Sequence, residues 1–232
     1  MAKKKIQHFA EMKTFDCVFE PTNDEMLSGE FHLKGRWNAK YFNNAKPITL
    51  ELGCGKGEYT VELARKYPDR NFIGVDVKGA RLWRGSKTAD TEELPNVAFL
   101  RTKIEFINTF FAPGEVSEIW LTFSDPQPKD RKGTKRLTSE LFLERYSKMM
   151  NAPKIVHVKT DSTVLYNRTM DSLKNIRHKL LEHTTDLYGE DWDTFSGEQR
   201  DILSIKTFYE KKWLSEGKRI HYLKIELLDE AE

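Results

Sequence analysis

The stretch Ile48-Thr-Leu-Glu-Leu-Gly-Cys-Gly-Lys-Gly57 decides the fold. Its first five residues are mostly apolar, and their length suits one buried strand. Three glycines follow at alternate positions, where a side chain would block a tight turn and a close approach to the backbone. Residues 58–67 then place apolar side chains at helical spacing, and Pro68 ends the helix. The stretch therefore predicts a strand, a glycine turn and a helix.

An acidic residue ends the next predicted strand, which covers residues 71–77. Asp76 follows the glycine turn by about 20 residues, at a place where a carboxylate can accept both hydroxyls of a ribose. The glycine spacing is not the G-x-G-x-x-G of dinucleotide binders, and no P-loop is present. Glu51, just before the glycines, is placed to meet a cofactor amine or to form a surface ion pair. The combination indicates a nucleoside-bearing cofactor, and the alternative is an ordinary turn with a solvated acid.

Cys54 lies between two of the glycines and is the first candidate for a nucleophile. No arrangement of His and Asp accompanies it in the sequence, so we interpret it as a small turn residue. Cys17 is the only other cysteine, which makes a disulfide framework or a four-cysteine metal site improbable. We therefore expect no metal centre.

Further strands and helices alternate along the rest of the chain. Strands are predicted at 97–100, 116–123, 154–159, 180–188 and 219–228, and helices at 79–94, 104–111, 141–150, 162–180 and 209–216. This alternation predicts an α/β fold with a mostly parallel, seven-stranded sheet and helices on both faces. The last two strands form a hairpin-like pair, which fits the Rossmann-like fold of S-adenosylmethionine-dependent methyltransferases. Residues 1–46 are predicted to be an N-terminal arm with short elements, and residues 47–232 the methyltransferase domain.

The charge balance is almost neutral over the whole chain. Of 232 residues, 38 are Lys or Arg and 36 are Asp or Glu, which gives a formal charge of +2. That balance argues against a protein that coats any polyanion, although it says nothing about local patches. No apolar run approaches the roughly 20 residues of a membrane span, and no apolar stretch follows the basic start. We therefore expect a cytoplasmic protein that does not enter membranes.

A proline-rich loop follows the predicted strand 116–123. Ligands of open α/β sheets bind beyond the carboxyl ends of the strands, and two prolines stiffen the segment Asp125-Pro-Gln-Pro-Lys129 there. We therefore expect Asp125 near the glycine turn, and the alternative is an Asp-Pro turn without a chemical role. Residues 129–136 hold five bases and one acid, which indicates a polyanionic substrate or, alternatively, a solvated face.

Five short segments together resemble the bacterial tRNA (guanine-N7-)-methyltransferase family, TrmB. They are E-x-G-C-G-x-G at 51–57, the strand-terminal Asp76, D-P-x-P-K at 125–129, K-T-D at 159–161 and T-x-[FY]-E at 207–210. The chain departs from the family pattern at Ser124 and Gln127, where Pro and Trp are usual, and at 132–134, where the family has a histidine. Lys103 and Ile104 replace the Asp-Ala pair that reads adenine. The chain resembles a divergent branch of the family.

The resemblance implies methyl transfer from S-adenosylmethionine to N7 of guanine at position 46, in the variable loop of tRNA. It implies that Asp125 is catalytic, at the reaction centre. The implied cofactor-binding residues are Glu51, Gly53, Gly55, Asp76, Ile104 and Asp125. The implied substrate-binding residues are Lys129, Asp161, Thr207, Phe208, Tyr209 and Glu210. The basic residues of the loop, Arg131, Lys132, Lys135 and Arg136, form an RNA-binding patch in this reading.

Two alternatives stay open from the sequence. A small-molecule methyltransferase of the same fold would share the glycine turn but leave the basic loop without a task. A non-catalytic RNA-binding module would explain the changed adenine-reading position. The expected partner is tRNA, and the sequence leaves open whether the protein is a monomer or a homodimer.

Overall fold

The computed structural model describes residues 2–229, without the side chains at positions 2–4, 130, 190 and 191. The chain divides into two compact units, Met1–Val116 and Ser117–Glu232. The described residues form eight strands, one more than predicted, because the two-residue strand Val18–Phe19 lies within the expected arm. The assignment of residues 1–46 to an arm and 47–232 to a methyltransferase domain stays a prediction. Its outer ends, residue 1 and residues 230–232, lie outside the described part.

Four parallel strands form the sheet of the first unit. They are β1 (Val18–Phe19), β2 (Ile48–Leu52), β3 (Asn71–Asp76) and β4 (Val97–Arg101). Their order is β1-β4-β3-β2, and each neighbouring pair is parallel. β2 is buried along its whole length and β3 up to Asp76, as continuous apolar runs in parallel sheets are. Because β2 and β3 are parallel, the glycine turn and Asp76 follow them at the same edge of this sheet.

Five α-helices, one π-helix and one 3-10 turn complete the described part of the first unit. They are α1 (Ala2–Met12), α2 (Asn23–Ser28), α3 (Glu58–Lys66), α4 (Gly79–Thr91) and α5 (Ile107–Phe110), with a π-helix at Trp37–Phe42 and a 3-10 turn at Ile104–Phe106. α3 begins directly after the glycine turn and ends before Pro68, because the residue before a proline disfavours helical geometry. The helix predicted over 104–111 is instead a 3-10 turn followed by a single short helix.

An aromatic cluster forms one part of the core of the first unit. Trp37 is fully buried, its indole Nε1 donates to the Phe110 carbonyl at 3.0 Å, and its ring stacks on Phe111. The Glu115 carboxylate accepts hydrogen bonds from the backbone N–H groups of Gly35 and Trp37. Residues from the predicted arm therefore pack on the segment around residues 110–115.

The second unit holds the remaining four described strands. They are β5 (Val116–Thr122), which starts at the boundary residue, β6 (Met150–Thr160), β7 (His178–Thr184) and β8 (His221–Leu227). Their order is β5-β6-β8-β7, and β8 runs antiparallel to both β6 and β7. β7 and β8 form the antiparallel pair expected from the sequence. β6 is buried in its last five residues, so its carboxyl end leads from the core into the segment around Asp161.

The helices of the second unit differ from prediction in two places, at the end of the helix predicted over 162–180 and at residues 197–203, for which no helix was predicted. They are α6 (Glu140–Met149), α7 (Thr163–Leu173), α8 (Gly197–Leu203) and α9 (Phe208–Ser215), with 3-10 segments at Asp130–Lys135 and Glu190–Thr194. The prediction of one helix over 162–180 is wrong beyond Leu173, because β7 already begins at His178. Along β7, half-buried and exposed residues alternate, which is the period of a strand with one solvated face.

Candidate functional site

Each glycine of the turn after β2 adopts a left-handed backbone conformation. The φ angles of Gly53, Gly55 and Gly57 are 79°, 56° and 67°, a region that residues with a side chain rarely adopt. A Cβ atom at Gly57 would lie 2.5 Å from Cε1 of Phe99, so this glycine lets the turn pack on the sheet. A Cβ atom at Gly55 would meet nothing within 4 Å. The turn therefore leaves open space beside Gly55, as a cradle for a ligand requires.

Asp76 joins the glycine turn to the start of α4. Its Oδ2 accepts a hydrogen bond from the Gly55 N–H at 2.9 Å, and its Oδ1 accepts one from the Lys78 N–H at 2.7 Å. A carboxylate offers about four acceptor positions, so these two bonds leave capacity for two ribose hydroxyls. The free acceptor positions of Asp76 and the open turn fit a nucleoside-bearing group.

Glu51 lies inside the fold rather than on an open edge. Its Oε2 accepts hydrogen bonds from the backbone N–H of Thr60 at 2.9 Å and from the Thr60 hydroxyl at 2.5 Å. Glu51 is buried, and these bonds fasten the first turns of α3 to the end of β2. Its observed contacts therefore give it a structural task, whereas contact with a cofactor amine stays a prediction.

Two other predicted positions of the first unit have clear surroundings. Ile104 is half-buried and begins the 3-10 turn Ile104–Phe106, which follows the Arg101 end of β4. Cys54 is buried, and that burial raises the pKa of its thiol well above the ordinary value. A thiol that stays protonated is a poor nucleophile, which agrees with a small turn residue.

The proline loop holds Asp125 on the surface of the second unit. Asp125 is exposed, and its Oδ1 accepts a hydrogen bond from the Gln127 N–H at 3.0 Å. Phe123 and Gln127 have φ angles of 53° and 41°, which are rare for residues with side chains. Backbone strain of this kind is often found where a loop must hold a functional group in one orientation.

The basic run divides into an exposed set and one buried arginine. The exposed residues are Lys129, Arg131, Lys132 and Lys135, in and before the 3-10 segment Asp130–Lys135. Arg136 is buried, and its Nε donates to the carbonyl oxygens of Pro126 and Gln127 at 3.2 and 3.1 Å. The structure therefore places Arg136 behind the proline loop, where it holds that loop in shape.

Asp161 forms an ion pair just after β6. The half-buried Oδ2 of Asp161 lies 3.0 Å from Nζ of Lys218, which donates the hydrogen bond. The same Nζ lies 3.5 Å from the centroid of the Trp213 ring, a cation–π distance. Asp161 therefore has a partially exposed cation as its partner in this structure.

The Thr207–Glu210 segment divides into two outward and two inward residues. Phe208 and Tyr209, at the start of α9, are 50% and 38% exposed. Thr207 is the N-cap of α9, and its hydroxyl accepts a hydrogen bond from the Glu210 N–H at 3.1 Å. Glu210 itself is fully buried. The segment thus presents two aromatic rings and keeps its polar side chains inside.

The partners of Glu210 are two residues to which the sequence analysis gave no role. Oε1 of Glu210 lies 2.8 Å from Nζ of Lys159 and accepts a hydrogen bond from the Tyr188 hydroxyl at 2.6 Å. Burial lowers the pKa of Lys159 and raises that of Tyr188, while the Glu210 carboxylate opposes the shift at Lys159. The sequence did hold one signal for this pair, a lysine at the end of an apolar strand. A lysine there needs a partner, because an unpaired lysine is almost never fully buried.

Comparison with known proteins identifies the family. A family model described as "Putative methyltransferase" matches residues 45–223. A tRNA (guanine-N(7)-)-methyltransferase of Christiangramia forsetii is 46% identical over 97% of this chain and 99% of the relative. One of Bacteroides thetaiotaomicron is 48% identical over 100% of this chain and 88% of the relative. The chain belongs to the tRNA (guanine-N7-)-methyltransferase family.

Solved structures of other methyltransferases share the fold of this family member. The 16S rRNA methyltransferase KamB superposes with a TM-score of 0.58 at 14% identity, covering 82% of this chain and 92% of KamB. An antibiotic-related methyltransferase gives a TM-score of 0.58 at 14% identity, with 86% and 96% covered. The predicted Rossmann-like fold of S-adenosylmethionine-dependent methyltransferases is thereby confirmed.

Two features of the described residues concern membranes and metals. Among residues 2–229, none of the helices has both the length and the apolar character needed to cross a membrane. Within the same range, no group of three or more His, Cys, Asp or Glu side chains is arranged to hold a metal ion.

Proposed function

We propose that this chain transfers a methyl group from S-adenosylmethionine to N7 of the guanine at position 46, in the variable loop of tRNA. The observation that carries the proposal is the 46% identity to the Christiangramia forsetii tRNA (guanine-N(7)-)-methyltransferase over nearly the full length of both chains. The position in the tRNA and the role of each residue are finer proposals. The position in the tRNA rests on the family resemblance, and the residue roles are supported by the chemistry of the side chains described above.

The reaction makes modest demands on acid–base chemistry. Guanine N7 carries an in-plane lone pair and no proton, so no general base is required to create the nucleophile. S-adenosylmethionine supplies an electrophilic methyl group on a positively charged sulfur. The bond from N7 to the methyl carbon forms as the sulfur–carbon bond breaks, and the positive charge passes to the purine ring. The chain must therefore align N7 with the methyl group, and such alignment can supply about 7–11 kcal/mol.

The proposed residues for the methyl donor lie in the glycine turn, at the end of β3 and after β4. Asp76 would accept the ribose hydroxyls, and Gly53 and Gly55 would let the backbone approach the donor. Glu51 and Ile104 would lie at the amine and adenine ends. The open space at Gly55 and the remaining acceptor capacity of Asp76 support this assignment.

The proposed residues for the guanosine lie in the proline loop, after β6 and at the start of α9. Asp125 is exposed on a strained loop, where a carboxylate can stabilise the positive charge that develops on the purine ring. Asp161 and Lys129 are further candidates for polar contacts. The Thr207–Glu210 segment would lie against the guanosine through the exposed rings of Phe208 and Tyr209. Asp125 is therefore the residue that we propose as catalytic.

The tRNA must present its guanine outside a regular helix. N7 lies on the edge of guanine that faces the major groove. In an RNA duplex this groove is too narrow for side chains to enter. A guanine in a loop can be turned outward at a cost of a few kcal/mol. The exposed Lys129, Arg131, Lys132 and Lys135 suit the phosphates around it, because phosphate contacts fix the register of a bound nucleic acid.

Three further proposals concern the domains, the location and the assembly of the protein. Residues 47–232 would form the methyltransferase domain and residues 1–46 an N-terminal arm, and the family model, which begins at residue 45, supports this boundary. The cytoplasm is the proposed location, because the relatives of this chain are named as tRNA methyltransferases. The proposed assembly is a monomer or a homodimer, which sedimentation would distinguish.

Nucleoside mass spectrometry tests the proposed function directly. Unmodified tRNA is incubated with the protein and S-adenosylmethionine and then digested to nucleosides. We expect N7-methylguanosine from tRNA that has guanine at position 46, and none from a matched tRNA with adenine there. The Asp125→Asn protein is the control, because asparagine keeps an oxygen that can accept from the Gln127 N–H but lacks the charge.

Three results would contradict the proposal. A methyl group on another atom would change the reaction, and binding of tRNA without any methylation would favour a non-catalytic RNA-binding module. Activity on a small molecule that stays constant as salt increases would favour a small-molecule enzyme, because tRNA-dependent activity must fall with salt.

A further inference from the structure

A buried ion pair anchors the start of α9. Lys159 and Glu210 are both 0% exposed, and their Nζ and Oε1 atoms are 2.8 Å apart. Lys159 lies on β6, whereas Glu210 lies in the first turn of α9. Burying two charges costs free energy, and the pair is tolerated only where geometry and further hydrogen bonds are good.

The ammonium group also binds the backbone that leads into α9. Nζ of Lys159 donates to the carbonyl oxygens of Leu203 and Ile205 at 2.9 and 3.2 Å. These carbonyls lie at the end of α8 and in the link that follows it. One cation therefore holds the chain both before α9 and, through Glu210, inside its first turn.

A tyrosine completes the cluster. The Tyr188 hydroxyl is within hydrogen-bond distance of Oε1 of Glu210 at 2.6 Å and of the Leu203 carbonyl at 2.9 Å. Together Lys159, Tyr188 and Glu210 fix the orientation of the first turn of α9. That orientation directs Phe208 and Tyr209 outward.

We infer that Glu210 is a positioning residue, which together with Lys159 and Tyr188 holds Phe208 and Tyr209 in place for the guanosine and does not contact it. This inference rests on the proposed function and deepens it. It changes the role that the family resemblance implies, in which Glu210 holds the substrate.

The surroundings of Glu210 support an internal role. Oε1 already has two partners, Lys159 and Tyr188. Oε2 has no hydrogen-bond partner in the described part of the chain, but it is buried as well. A guanosine could reach either oxygen only if the start of α9 moved. The Thr207 hydroxyl also has a partner inside the fold, because it caps α9 by accepting a hydrogen bond from the Glu210 N–H.

A double-mutant cycle separates positioning from direct contact. Lys159→Met and Glu210→Leu are made singly and together, and the melting temperature and the KM for tRNA are measured. Each single variant should lose stability, because it leaves one buried charge without a partner. The double variant should recover most of the loss in both properties, because apolar side chains of similar size can replace a buried ion pair, although the Ile205 carbonyl loses its Nζ donor. Tyr188 keeps the Leu203 carbonyl as an acceptor in every variant.

The expected changes in KM are distinct. We expect each single variant to raise the KM for tRNA by about tenfold or more, because the start of α9 with Phe208 and Tyr209 is displaced. The effect on kcat should be smaller. The double variant should return to within about threefold of the original protein. A double variant that is as stable as the original protein but keeps the high KM would overturn the inference, since Glu210 would then contact the guanosine.

A conservative variant gives an answer even if the double variant does not fold. Glu210→Gln is compared with the original protein on tRNAs that carry guanine or inosine at position 46. Inosine lacks the exocyclic amine that a carboxylate ligand would bind. A positioning residue leaves the ratio of the two kcat/KM values unchanged, whereas a direct ligand of the amine lowers that ratio about tenfold or more.

The original protein serves as the reference for both arms. If it forms no N7-methylguanosine, the proposed function fails, and this inference fails with it. If it is active but Glu210→Gln lowers the guanine-to-inosine ratio, the inference alone fails.

Discussion

The glycine turn and the first turn of α9 are proposed to hold the two substrates, but different interactions fix their shapes. The turn uses backbone: the N–H groups of Gly53 and Cys54 both donate to the Val75 carbonyl, at 2.8 and 3.1 Å. The start of α9 uses buried charge, in the Lys159–Glu210 pair. Substitutions at the turn should therefore act through space and backbone strain, and those at α9 through unpaired charge.

Asp125 offers the largest expected effect, because it is proposed to act on the reacting atoms. We expect Asp125→Ala to lower the single-turnover rate by about 10²–10³-fold, as removal of a preorganised electrostatic group does. The Kd for tRNA should change by less than about threefold, because phosphate contacts supply most of the affinity. Asp125→Asn separates charge from loop shape, since it can keep the bond to the Gln127 N–H. Equal losses of rate and affinity in Asp125→Ala would contradict this division.

Two glycines of the turn form a matched pair that tests the role of space. Gly57→Ala should lower the free energy of unfolding by more than about 2 kcal/mol, because left-handed strain adds to a 2.5 Å contact with Phe99. Gly55→Ala should lower it by only about 1–2 kcal/mol, because a Cβ atom there meets nothing within 4 Å. Its larger effect should be a raised KM for S-adenosylmethionine. Urea unfolding and initial rates measure both, and equal losses of stability would contradict the steric assignment.

The two regions also differ in how well the sequence predicts them. The strand, the glycine turn, α3 and Asp76 were predictable, because a local pattern of apolar residues, glycines and one proline determines them. The Lys159–Glu210 cluster was not predictable, since its members come from separate elements and only the fold brings them together. For the same reason Arg136 reads as one more base of the loop, whereas the structure turns it toward the carbonyl oxygens of Pro126 and Gln127.

Some predicted boundaries of helices and strands are wrong for a related physical reason. The end of α7 was predicted too late, because residues 174–180 contain apolar side chains that suit either period until the pairing of β7 with β8 selects the strand. Strand β1 has two residues, and its pairing with β4 defines it rather than any pattern of its own. Elements that are defined by pairing with a partner strand are therefore difficult to predict from the sequence.

The exposed basic loop provides a third comparison, in which charge acts without burial. Lys129→Ala combined with Arg131→Ala should weaken tRNA binding and leave the rate at saturating tRNA nearly unchanged. The slope of log K against log salt should become shallower by about 1.5 if both residues contact phosphates. Filter binding at several salt concentrations measures this slope. The control is Lys13→Ala with Lys40→Ala, which removes two exposed charges elsewhere; an equal change of slope there would contradict a local patch.

The pair of Lys218 with Asp161 contrasts most directly with the buried pair. Lys218 and Asp161 are 40% and 19% exposed, so water screens their attraction. Lys218→Met should change the free energy of unfolding by less than about 1 kcal/mol, as for most exposed ion pairs.

The KM for tRNA should also respond weakly to Lys218→Met. We expect a rise of about two- to threefold with kcat unchanged, because Asp161 loses one orienting contact but stays close to water. Lys218→Arg is the matched control, since arginine can keep both the pairing and the stacking on Trp213. A loss of tenfold or more in kcat/KM for Lys218→Met, with Lys218→Arg unaffected, would show that the cation itself binds tRNA. The difference in burial would then not determine which of the two ion pairs matters for catalysis.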